Sequence, residues 1–386
     1  MTSHALSFGP RVRKSPYFEA TLRYGARSFT VYNHTYMPTC YTSPVEEYWS
    51  LVKGVTLWDV TCQRQVEISG PDAFRFIQLL TPRDMSRCEV GQCQYMVLTN
   101  QQGGIVNDAV LLRLREDQFW LSPGDGDVVM WASGVAVHSG MDVQVFEPDV
   151  SPLQLQGPKS PYVARDLFGK WALELKYYRL AETTLDGMPL VVSRTGWSGE
   201  LGYEIYLRDS RYGEQLWEKI MAVGKPYGIT PTAPNTIRSI EGGLLSYVSD
   251  IALADNPYVI GMDRFVNLDQ DDDFIGKAAL ARIRAEGVKR RLVGIEIDGA
   301  PLIGSNEEFW AVSDGKQRIG HVTRCVHSPR LEKNIGWANV PVRYSAHGTR
   351  IVVAAIDGER AATVCEAPWI RPEITIPPLD NDEAPA

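Results

Sequence analysis

Long apolar segments are missing from this 386-residue chain. No uninterrupted apolar run reaches the roughly 18 residues that a membrane-spanning helix needs. The stretch from Met1 to Pro10 also lacks the basic segment followed by an apolar one that marks a secretory signal. We therefore expect a cytoplasmic protein without a membrane partner.

Basic residues are the minority among the charged ones, with 39 lysines and arginines against 47 acidic residues and a formal net charge of -8. A protein that binds nucleic acid would present a basic surface, because it has to match the phosphate backbone. We therefore expect no nucleic-acid partner. The acidic balance is compatible with a small-molecule substrate and with a protein partner, such as a second copy of the chain in a homodimer.

Clustered metal ligands are also lacking. The six cysteines are scattered and include no C-x-x-C pair, so neither a disulfide framework nor a zinc site is predicted. The acidic run 269–273 lacks the glycine and the terminal glutamate of an EF-hand loop. The glycine-rich stretches lack the strand and helix context of a dinucleotide site. We expect no metal and no flavin or nicotinamide cofactor.

The first third of the chain alternates strand-like and helical patterns, which predicts an α+β fold. Strands are predicted at 30–36, 66–69, 94–99, 109–114 and 119–122, and helices at 45–51 and 71–80. The second helix would bury one face, formed by Ala73, Phe76, Ile77 and Leu80. The first helix has Ser43 and Pro44 as its start signal.

A comparable order recurs later, with strands predicted at 153–156, 190–194 and 204–207 and a helix at 213–223. Two related α+β halves that face one another would explain the recurrence, with a site between them. Short strand-like runs then follow at 291–297, 309–313, 318–323 and 349–355. We predict the two halves in 1–285, a β-barrel domain in 286–370 and a disordered acidic, proline-rich tail in 371–386.

Five short motifs place polar residues among glycines in a fixed order. They are Gly103-Gly104-Ile105-Val106-Asn107-Asp108, Arg194-Thr195-Gly196-Trp197-Ser198-Gly199-Glu200, Gly202-Tyr203-Glu204, Arg238-Ser239-Ile240-Glu241-Gly242-Gly243 and Phe274-Ile275-Gly276-Lys277. Together they resemble the folate-dependent aminomethyltransferase family, which contains the T-protein of glycine cleavage. The resemblance implies a T-protein-like folate-binding fold in 1–285 and tetrahydrofolate as the methyl-accepting cosubstrate.

Asp108 ends the first motif and precedes the apolar run 109–112. From this segment alone, a turn-capping aspartate is the simpler interpretation. The family resemblance implies instead that Asp108 contacts the reacting end of tetrahydrofolate. It would be the catalytic residue, because a carboxylate there stabilises positive charge on a folate nitrogen. Where the T-protein usually has two aspartates, this chain has Asn107 and Asp108.

Glu204 lies in an alternating pattern that puts Tyr206 on the same face of a strand. An exposed strand residue is the alternative, but a buried carboxylate would have to be paired or hydrogen bonded. The resemblance implies that Glu204 accepts hydrogen bonds from the amino-pyrimidine end of the pterin. Tyr95, Tyr178 and Arg194 are further candidates for cofactor binding.

Trp197 and Ser198 stand where the T-protein usually has tyrosine and threonine. Tryptophan binds a cation over its ring face more strongly than the other aromatic side chains do. With Tyr32, Trp171 and Tyr206 it would form a cage around a cationic substrate. Core packing is the alternative interpretation for each of these rings.

Further segments resemble the branch of this family that demethylates dimethylsulfoniopropionate. They include Val31-Tyr32-Asn33-His34, Trp58-Asp59-Val60, Leu244-Leu245-Ser246-Tyr247 and Asp255-Asn256-Pro257. The resemblance implies that Ser246 contacts the substrate, and that the products are 5-methyltetrahydrofolate and 3-methylthiopropionate. The alternatives are a demethylase of a quaternary or tertiary amine such as glycine betaine or dimethylglycine, a T-protein-like aminomethyltransferase, and a folate-binding protein without methyl transfer.

Overall fold

A computed structural model describes residues 7–378 of the chain. Its helices are α1 (Phe18–Arg23), α2 (Pro44–Lys53), α3 (Ala73–Leu80), α4 (Val128–Ser139), α5 (Ser160–Phe168), α6 (Trp171–Glu174), α7 (Gly213–Gly224), α8 (Thr236–Glu241) and α9 (Lys277–Glu286). Within that range, none of these helices has the length and apolar character needed to span a bilayer.

The strands fall into two groups along the chain. In the first 231 residues they are β1 (Ser28–Tyr32), β2 (Thr35–Cys40), β3 (Thr56–Asp59), β4 (Val66–Ser69), β5 (Gln92–Thr99), β6 (Ile105–Arg115), β7 (Gln118–Pro123), β8 (Gln144–Phe146), β9 (Ser151–Gln156), β10 (Leu180–Leu185), β11 (Met188–Ser193), β12 (Gly202–Leu207) and β13 (Thr230–Pro231). The later ones are β14 (Arg290–Ile297), β15 (Trp310–Ser313), β16 (Arg318–Ser328), β17 (Lys333–Pro341), β18 (Arg350–Ala355) and β19 (Gly358–Cys365).

A five-stranded antiparallel sheet forms the first half, in the order β5-β6-β7-β4-β8. Helices α3 and α4 cover one of its faces with a shared apolar cluster. In α3 the side chains of Ala73, Phe76, Ile77 and Leu80 are all buried, because their spacing puts them on one side of a helix. The helical face predicted from the sequence is confirmed.

A six-stranded sheet forms the second half, in the order β10-β11-β12-β9-β3-β13, and only its β3–β13 pair is parallel. Helices α1, α5 and α7 cover its outer face, where they pack on Tyr203, Ile205 and Leu207 of β12. Since side chains alternate along a strand, Glu204 and Tyr206 point to the inner face. There Tyr206 shares an apolar cluster with residues of β6 and β7, so the two halves face one another.

Residues 30–36, predicted as one strand, instead belong to a hairpin in which β1 and β2 pair antiparallel. Asn33 and His34 connect the strands with φ angles of 48° and 60°. Positive φ at both central residues is the geometry of a tight hairpin turn. The single-strand prediction was wrong because an Asn-His pair is a much weaker turn signal than Asn-Gly.

Strands β14 to β19 close into a barrel in the order β14-β17-β16-β15-β18-β19, which confirms the predicted C-terminal barrel. Its interior holds one apolar cluster. A separate cluster joins the barrel to the rest of the chain, with Leu292 and Trp337 on the barrel side and Tyr48, Ile105 and Ile240 on the other side. The barrel is therefore packed against the two halves.

The chain after the barrel returns to the second half. The backbone N–H of Glu373 donates to the carbonyl oxygen of Gly199 at 3.0 Å. The composition predicts disorder from residue 371 onward, yet residues 371–378 are described, and Glu373 contacts the loop that contains Gly199. Amino-acid composition does not show such a contact, because the two residues lie far apart in sequence. Residues 379–386, which complete the predicted tail, lie outside the described residues.

Candidate functional site

Asp108 lies on β6 opposite Val97 of β5. Its Oδ2 accepts a hydrogen bond from the Tyr95 hydroxyl at 2.9 Å. Its Oδ1 is buried and has no hydrogen-bond partner among residues 7–378. Leaving a buried carboxylate oxygen without a donor is unfavourable, so this oxygen is a strong candidate acceptor for a bound ligand.

Burial raises the pKa of Asp108 to about 6. The hydrogen bond from Tyr95 lowers this pKa, and the neighbouring carboxylate of Asp250 raises it. Above that pH the group is ionised, and its charge acts in surroundings of low dielectric constant, where it interacts more strongly than in water.

Two more phenols lie within electrostatic reach of Asp108. Burial raises the pKa of Tyr32 well above its usual range, and the charges of Asp108 and Asp125 add to the increase. Burial and the same two carboxylates raise the pKa of Tyr247 to about 12. The structure thus brings the predicted Tyr32 to Asp108. Tyr247 was not predicted from the sequence as a site residue, although it directly follows the predicted Ser246.

Glu204 is only 4% exposed. Its Oε1 accepts from Gln154 at 2.8 Å, and its Oε2 accepts from Tyr206 at 3.1 Å and from the Thr195 hydroxyl. Burial raises the pKa of Glu204, whereas these three donors lower it. A carboxylate offers about four acceptor positions, so its neutral protein donors leave about one position for a ligand.

Tyr206 was predicted to contact the substrate, but it is fully buried between the two sheets. Its ring centroid lies 6.1 Å from that of Trp120, and its hydroxyl belongs to the Glu204 network. The structure therefore groups Tyr206 with the predicted folate side of the site. Direct contact with the substrate stays a prediction.

Trp197 follows β11 and is partly exposed. Its indole Nε1 donates to the carbonyl oxygen of Leu245 at 3.2 Å, which fixes the ring against the segment that carries Ser246. The guanidinium carbon of Arg324 lies 5.8 Å from the Trp197 ring centroid. A protein cation thus lies over the ring of Trp197.

Ser246 begins a turn that Asp250 holds closed. Its N–H donates to Asp250 Oδ2 at 3.0 Å, and its carbonyl accepts from the N–H of Asp250 at 2.8 Å. Val248 in this turn has a φ of 72°, which a β-branched residue rarely adopts. Backbone strain of this kind concentrates at functional sites, and here it lies two residues from Ser246.

Trp171 and Tyr178 occupy different surroundings. Trp171 packs on the outer, helix-covered face of the second sheet, with its ring centroid 5.9 Å from that of Phe168. It is therefore not grouped with the rings of the inner face. Tyr178 lies at the edge of the inter-sheet cluster, where burial and then other groups, including Glu204, raise its pKa above the usual range.

Arg194 is 3% exposed. Its guanidinium donates to the carbonyl oxygens of Gly202 at 3.2 Å, Leu175 at 3.4 Å and Ile374 at 3.0 Å. Backbone groups therefore occupy all three nitrogens, and one of those groups belongs to the segment after the barrel. Contact between Arg194 and folate stays a prediction. A guanidinium has five N–H groups, so these three contacts leave it further donors.

Gln156 of β9 fills the space beneath the connection between β11 and β12. Its Oε1 accepts from Ser198 at 2.5 Å, and its Nε2 donates to the Tyr203 carbonyl at 3.2 Å. A Cβ on Gly196 or Gly202 would come within 2.3 Å or 2.4 Å of this amide group. Both glycines are thus required by the close approach of one buried side chain.

The residues present fit a folate. The pterin ring presents a flat array of hydrogen-bond donors, which suits the remaining acceptor position of Glu204. Asp108 Oδ1, which has no partner within residues 7–378, supplies a second buried acceptor, and Tyr95 adds aromatic surface beside it. In the part of the chain that the structure describes, His, Cys, Asp and Glu side chains form no group of three that could hold a metal ion.

Two family models match the chain. The GCVT N-terminal domain matches residues 17–270, and the glycine cleavage T-protein C-terminal barrel domain matches residues 290–370. The two matches together span most of the chain and divide it just before the barrel.

Individual relatives match nearly full length. Dimethylsulfoniopropionate demethylase DmdA of Ruegeria pomeroyi is 38% identical over 360 residues, which cover 93% of this chain and 98% of the relative. An aminomethyltransferase of Symbiobacterium thermophilum is 34% identical over 374 residues, with 93% and 98% covered.

A solved structure shares the fold. Glycine cleavage system aminomethyltransferase T from Bartonella henselae superposes with a TM-score of 0.85 at 23% identity, over 94% of this chain and 99% of that one. The predicted T-protein-like arrangement of two α+β halves and a barrel is confirmed.

Proposed function

Since this chain belongs to the glycine cleavage T-protein family, we propose that it is an enzyme that transfers a methyl group from dimethylsulfoniopropionate to tetrahydrofolate. The observation that carries the proposal is the similarity to dimethylsulfoniopropionate demethylase DmdA, 38% identical over 93% of this chain. The products would be 3-methylthiopropionate and 5-methyltetrahydrofolate.

The protein does not have to activate the sulfur leaving group, because a neutral thioether leaves readily from a sulfonium ion. Tetrahydrofolate supplies the nitrogen that accepts the methyl carbon. The carbon–sulfur bond breaks as the carbon–nitrogen bond forms, its electron pair stays on sulfur, and the nitrogen releases its proton. Asp108, ionised above a pH of about 6, would stabilise the positive nitrogen and receive that proton. The hydroxyl of Tyr95 would orient the carboxylate through its hydrogen bond.

On the folate side, Glu204 would bind the amino-pyrimidine end of the pterin through its free acceptor position. Gln154 and Thr195 hold the Glu204 carboxylate in place, which reduces the loss of side-chain freedom on binding. Tyr178 would lie along the ring system. Arg194 borders the same region and would donate to the ligand through N–H groups that the three backbone carbonyls do not use.

On the substrate side, the ring of Trp197 and the phenol of Tyr32 would surround the sulfonium group. Ser246 would donate its hydroxyl to the carboxylate of the substrate, since within residues 7–378 that hydroxyl makes only one weak contact, at 3.5 Å to the Tyr247 carbonyl. Closure around the cation would exclude water and align the methyl carbon for transfer.

An aminomethyltransferase is the second candidate, because a relative with that activity in its name is 34% identical over 93% of this chain. A demethylase of glycine betaine or dimethylglycine would use the same cation-binding surface. The cytoplasmic location and the homodimer expected from the sequence stay predictions.

The test is an anaerobic incubation of the purified protein with tetrahydrofolate and dimethylsulfoniopropionate, analysed by mass spectrometry. We expect 5-methyltetrahydrofolate and 3-methylthiopropionate to form in equal amounts, and neither to form when folate is left out. If neither product forms in the complete mixture, the sulfonium substrate is wrong. Parallel incubations with glycine betaine and dimethylglycine then identify an amine demethylase.

A further inference from the structure

The loop after β7 brings a second carboxylate to the surroundings of Asp108. This loop is Gly124-Asp125-Gly126, and the N–H of Gly124 donates to the Asp108 carbonyl at 3.0 Å. The approach is so close that a Cβ on Gly124 would lie 3.1 Å from Asp108 Oδ1 and 3.3 Å from Asn107 Oδ1. The loop and both side-chain oxygens therefore border one small volume.

Asp125 is held from two sides. The Asn107 amide donates through Nδ2 to the Asp125 carbonyl at 2.8 Å, and the N–H of Asn33 donates to Asp125 Oδ1 at 2.7 Å. Asn33 directly follows Tyr32, so the Asp125 carboxylate lies beside the hairpin that carries this ring. An aspartate at position 107 could not make the first contact when ionised, because a carboxylate has no proton to donate.

Hydrogen-bond acceptors without donors collect around this loop. Asn33 Oδ1, Asn107 Oδ1 and Asp108 Oδ1 are buried and have no partner within residues 7–378, and the two asparagines are only 4% and 1% exposed. The carboxylates of Asp108 and Asp125 both act through charge to raise the pKa of Tyr32 and of Tyr247. The electrostatic potential at this point is therefore negative, which favours a positively charged ligand.

We propose that Asp125 is a specificity-determining residue, which selects substrates that carry a positive charge on the atom that donates the methyl group. The inference rests on the proposed function and deepens it. Asp108 interacts with the charge that develops on the accepting nitrogen, whereas Asp125 interacts with the charge that the substrate brings. An uncharged thioether gains nothing from Asp125.

The experiment compares Asp125→Asn with the wild-type protein by isothermal titration calorimetry in the absence of tetrahydrofolate, so that no methyl transfer occurs. The asparagine keeps an oxygen that accepts from Asn33 and removes only the charge. We expect the Kd of dimethylsulfoniopropionate to rise roughly 5- to 20-fold. The Kd of 3-methylthiopropionate should stay unchanged or fall, because this ligand has a neutral sulfur and a net negative charge.

Asp127→Asn is the matched control. Asp127 lies two residues further along the chain, is half exposed and pairs with His34 at 3.1 Å, so its replacement should leave both Kd values unchanged. Asp125→Glu, which keeps the charge, should retain the preference for the cation. Asp125→Asn removes the charge at nearly constant side-chain size, whereas Asp125→Glu changes the size and keeps the charge, so the two variants distinguish the two effects.

The outcomes separate the inference from the function on which it rests. Equal weakening of both ligands by Asp125→Asn, or no effect on either, overturns the inference. If the wild-type protein does not bind dimethylsulfoniopropionate, the proposed function fails, and glycine betaine takes its place as the cationic ligand in the same titrations. Weaker binding of glycine betaine to Asp125→Asn would then support the inference, and unchanged or absent binding would overturn it.

Discussion

Asp108 has two properties that oppose each other in a folded protein. Its negative charge would stabilise the positive folate nitrogen. Burial of the carboxylate lowers the free energy of unfolding, as does an Oδ1 without a hydrogen-bond partner within residues 7–378. Because its pKa is raised to about 6, the folded state holds the proton to a higher pH than the unfolded chain does. Asp108 therefore lowers the free energy of unfolding progressively as the pH rises from about 4 to about 6.

Asp108→Asn should make the protein more stable and less active. At pH 8 we expect kcat to fall about 10²- to 10³-fold, and the free energy of unfolding to rise by about 1 to 3 kcal/mol. The stability difference should disappear below pH 4, where the aspartate is protonated in both states. The wild-type kcat should fall as the pH decreases through about 6. Urea unfolding and activity across this pH range measure both effects.

Asp127→Asn again serves as the control, because this half-exposed carboxylate belongs to the neighbouring loop and contacts neither Asp108 nor Tyr95. It should change neither quantity. An Asp108→Asn protein that loses stability at pH 8 would show that the carboxylate has an unrecognised structural partner.

Among the elements, those with a regular burial period could be predicted from sequence. Helix α3 was recognised because its buried face repeats every three to four residues. Strand β12 was recognised from the alternating sequence pattern around Glu204 and Tyr206, although all six of its residues are buried. The hairpin of β1 and β2 was missed, since its turn uses an unusual Asn-His pair. Residues 371–378 were assigned to a disordered tail because the contacts of Glu373 and Ile374 are to Gly199 and Arg194, which lie far away in sequence.

The site also contains residues that a local sequence pattern identifies and residues that depend on contacts distant in sequence. Asp108 and Glu204 stand out in motifs, and the structure gives both of them buried carboxylates with polar partners. Tyr247 and Asp125 gain their positions from residues more than ninety positions away, such as Asn33 for Asp125. No local pattern reports such a neighbour.

The segment after the barrel gives a prediction at the scale of an element. Truncation after Arg371 removes the N–H of Glu373 and the carbonyl of Ile374, which contact Gly199 and Arg194. We expect the free energy of unfolding to fall by roughly 1 to 3 kcal/mol, because a buried guanidinium loses an acceptor. The KM for tetrahydrofolate should rise as the Arg194 region loosens. Urea unfolding and steady-state kinetics measure the two effects.

A shorter truncation, after Pro378, keeps every one of these contacts and serves as the matched control. It should behave like the full chain in both assays. If truncation after Arg371 also left stability and KM unchanged, the returning segment would have no part in holding the site.

At the scale of the whole molecule, one buried ion pair joins the barrel to the substrate side of the site. Arg324 of β16 donates through Nε to Asp250 at 2.7 Å and through Nη2 to the Leu244 carbonyl at 2.7 Å. Asp250 in turn holds Ser246, and Arg324 lies over Trp197. The barrel thus helps to fix the residues that would contact the substrate.

Arg324→Met should break the ion pair with Asp250, while the long methionine side chain still fills the volume that Arg324 occupies. We expect the free energy of unfolding to fall by roughly 3 to 5 kcal/mol, because Asp250 is left charged and buried. The KM for the substrate should rise, since the turn at Ser246 and the ring of Trp197 both lose a neighbour. Urea unfolding and initial rates at varied substrate concentration provide the measurements.

Arg350→Met is the comparison within the same barrel. Arg350 pairs with Asp298, and their side chains are 59% and 58% exposed, so the loss should be roughly 0 to 1 kcal/mol with no change in KM. Equal effects of the two substitutions would show that the Arg324 pair is no more important than a surface contact.

The packing of Gln156 beneath Gly196 and Gly202 also limits which substitutions these three positions can accept. One buried amide fills the space that a methyl group at either glycine would need, with approaches of 2.3 Å and 2.4 Å. Neither glycine can therefore mutate alone without displacing Gln156, and Gln156 can shrink alone only by leaving a void. The three positions are therefore sterically coupled, and a side chain at 196 or 202 needs a smaller residue at 156 or a displaced Gln156.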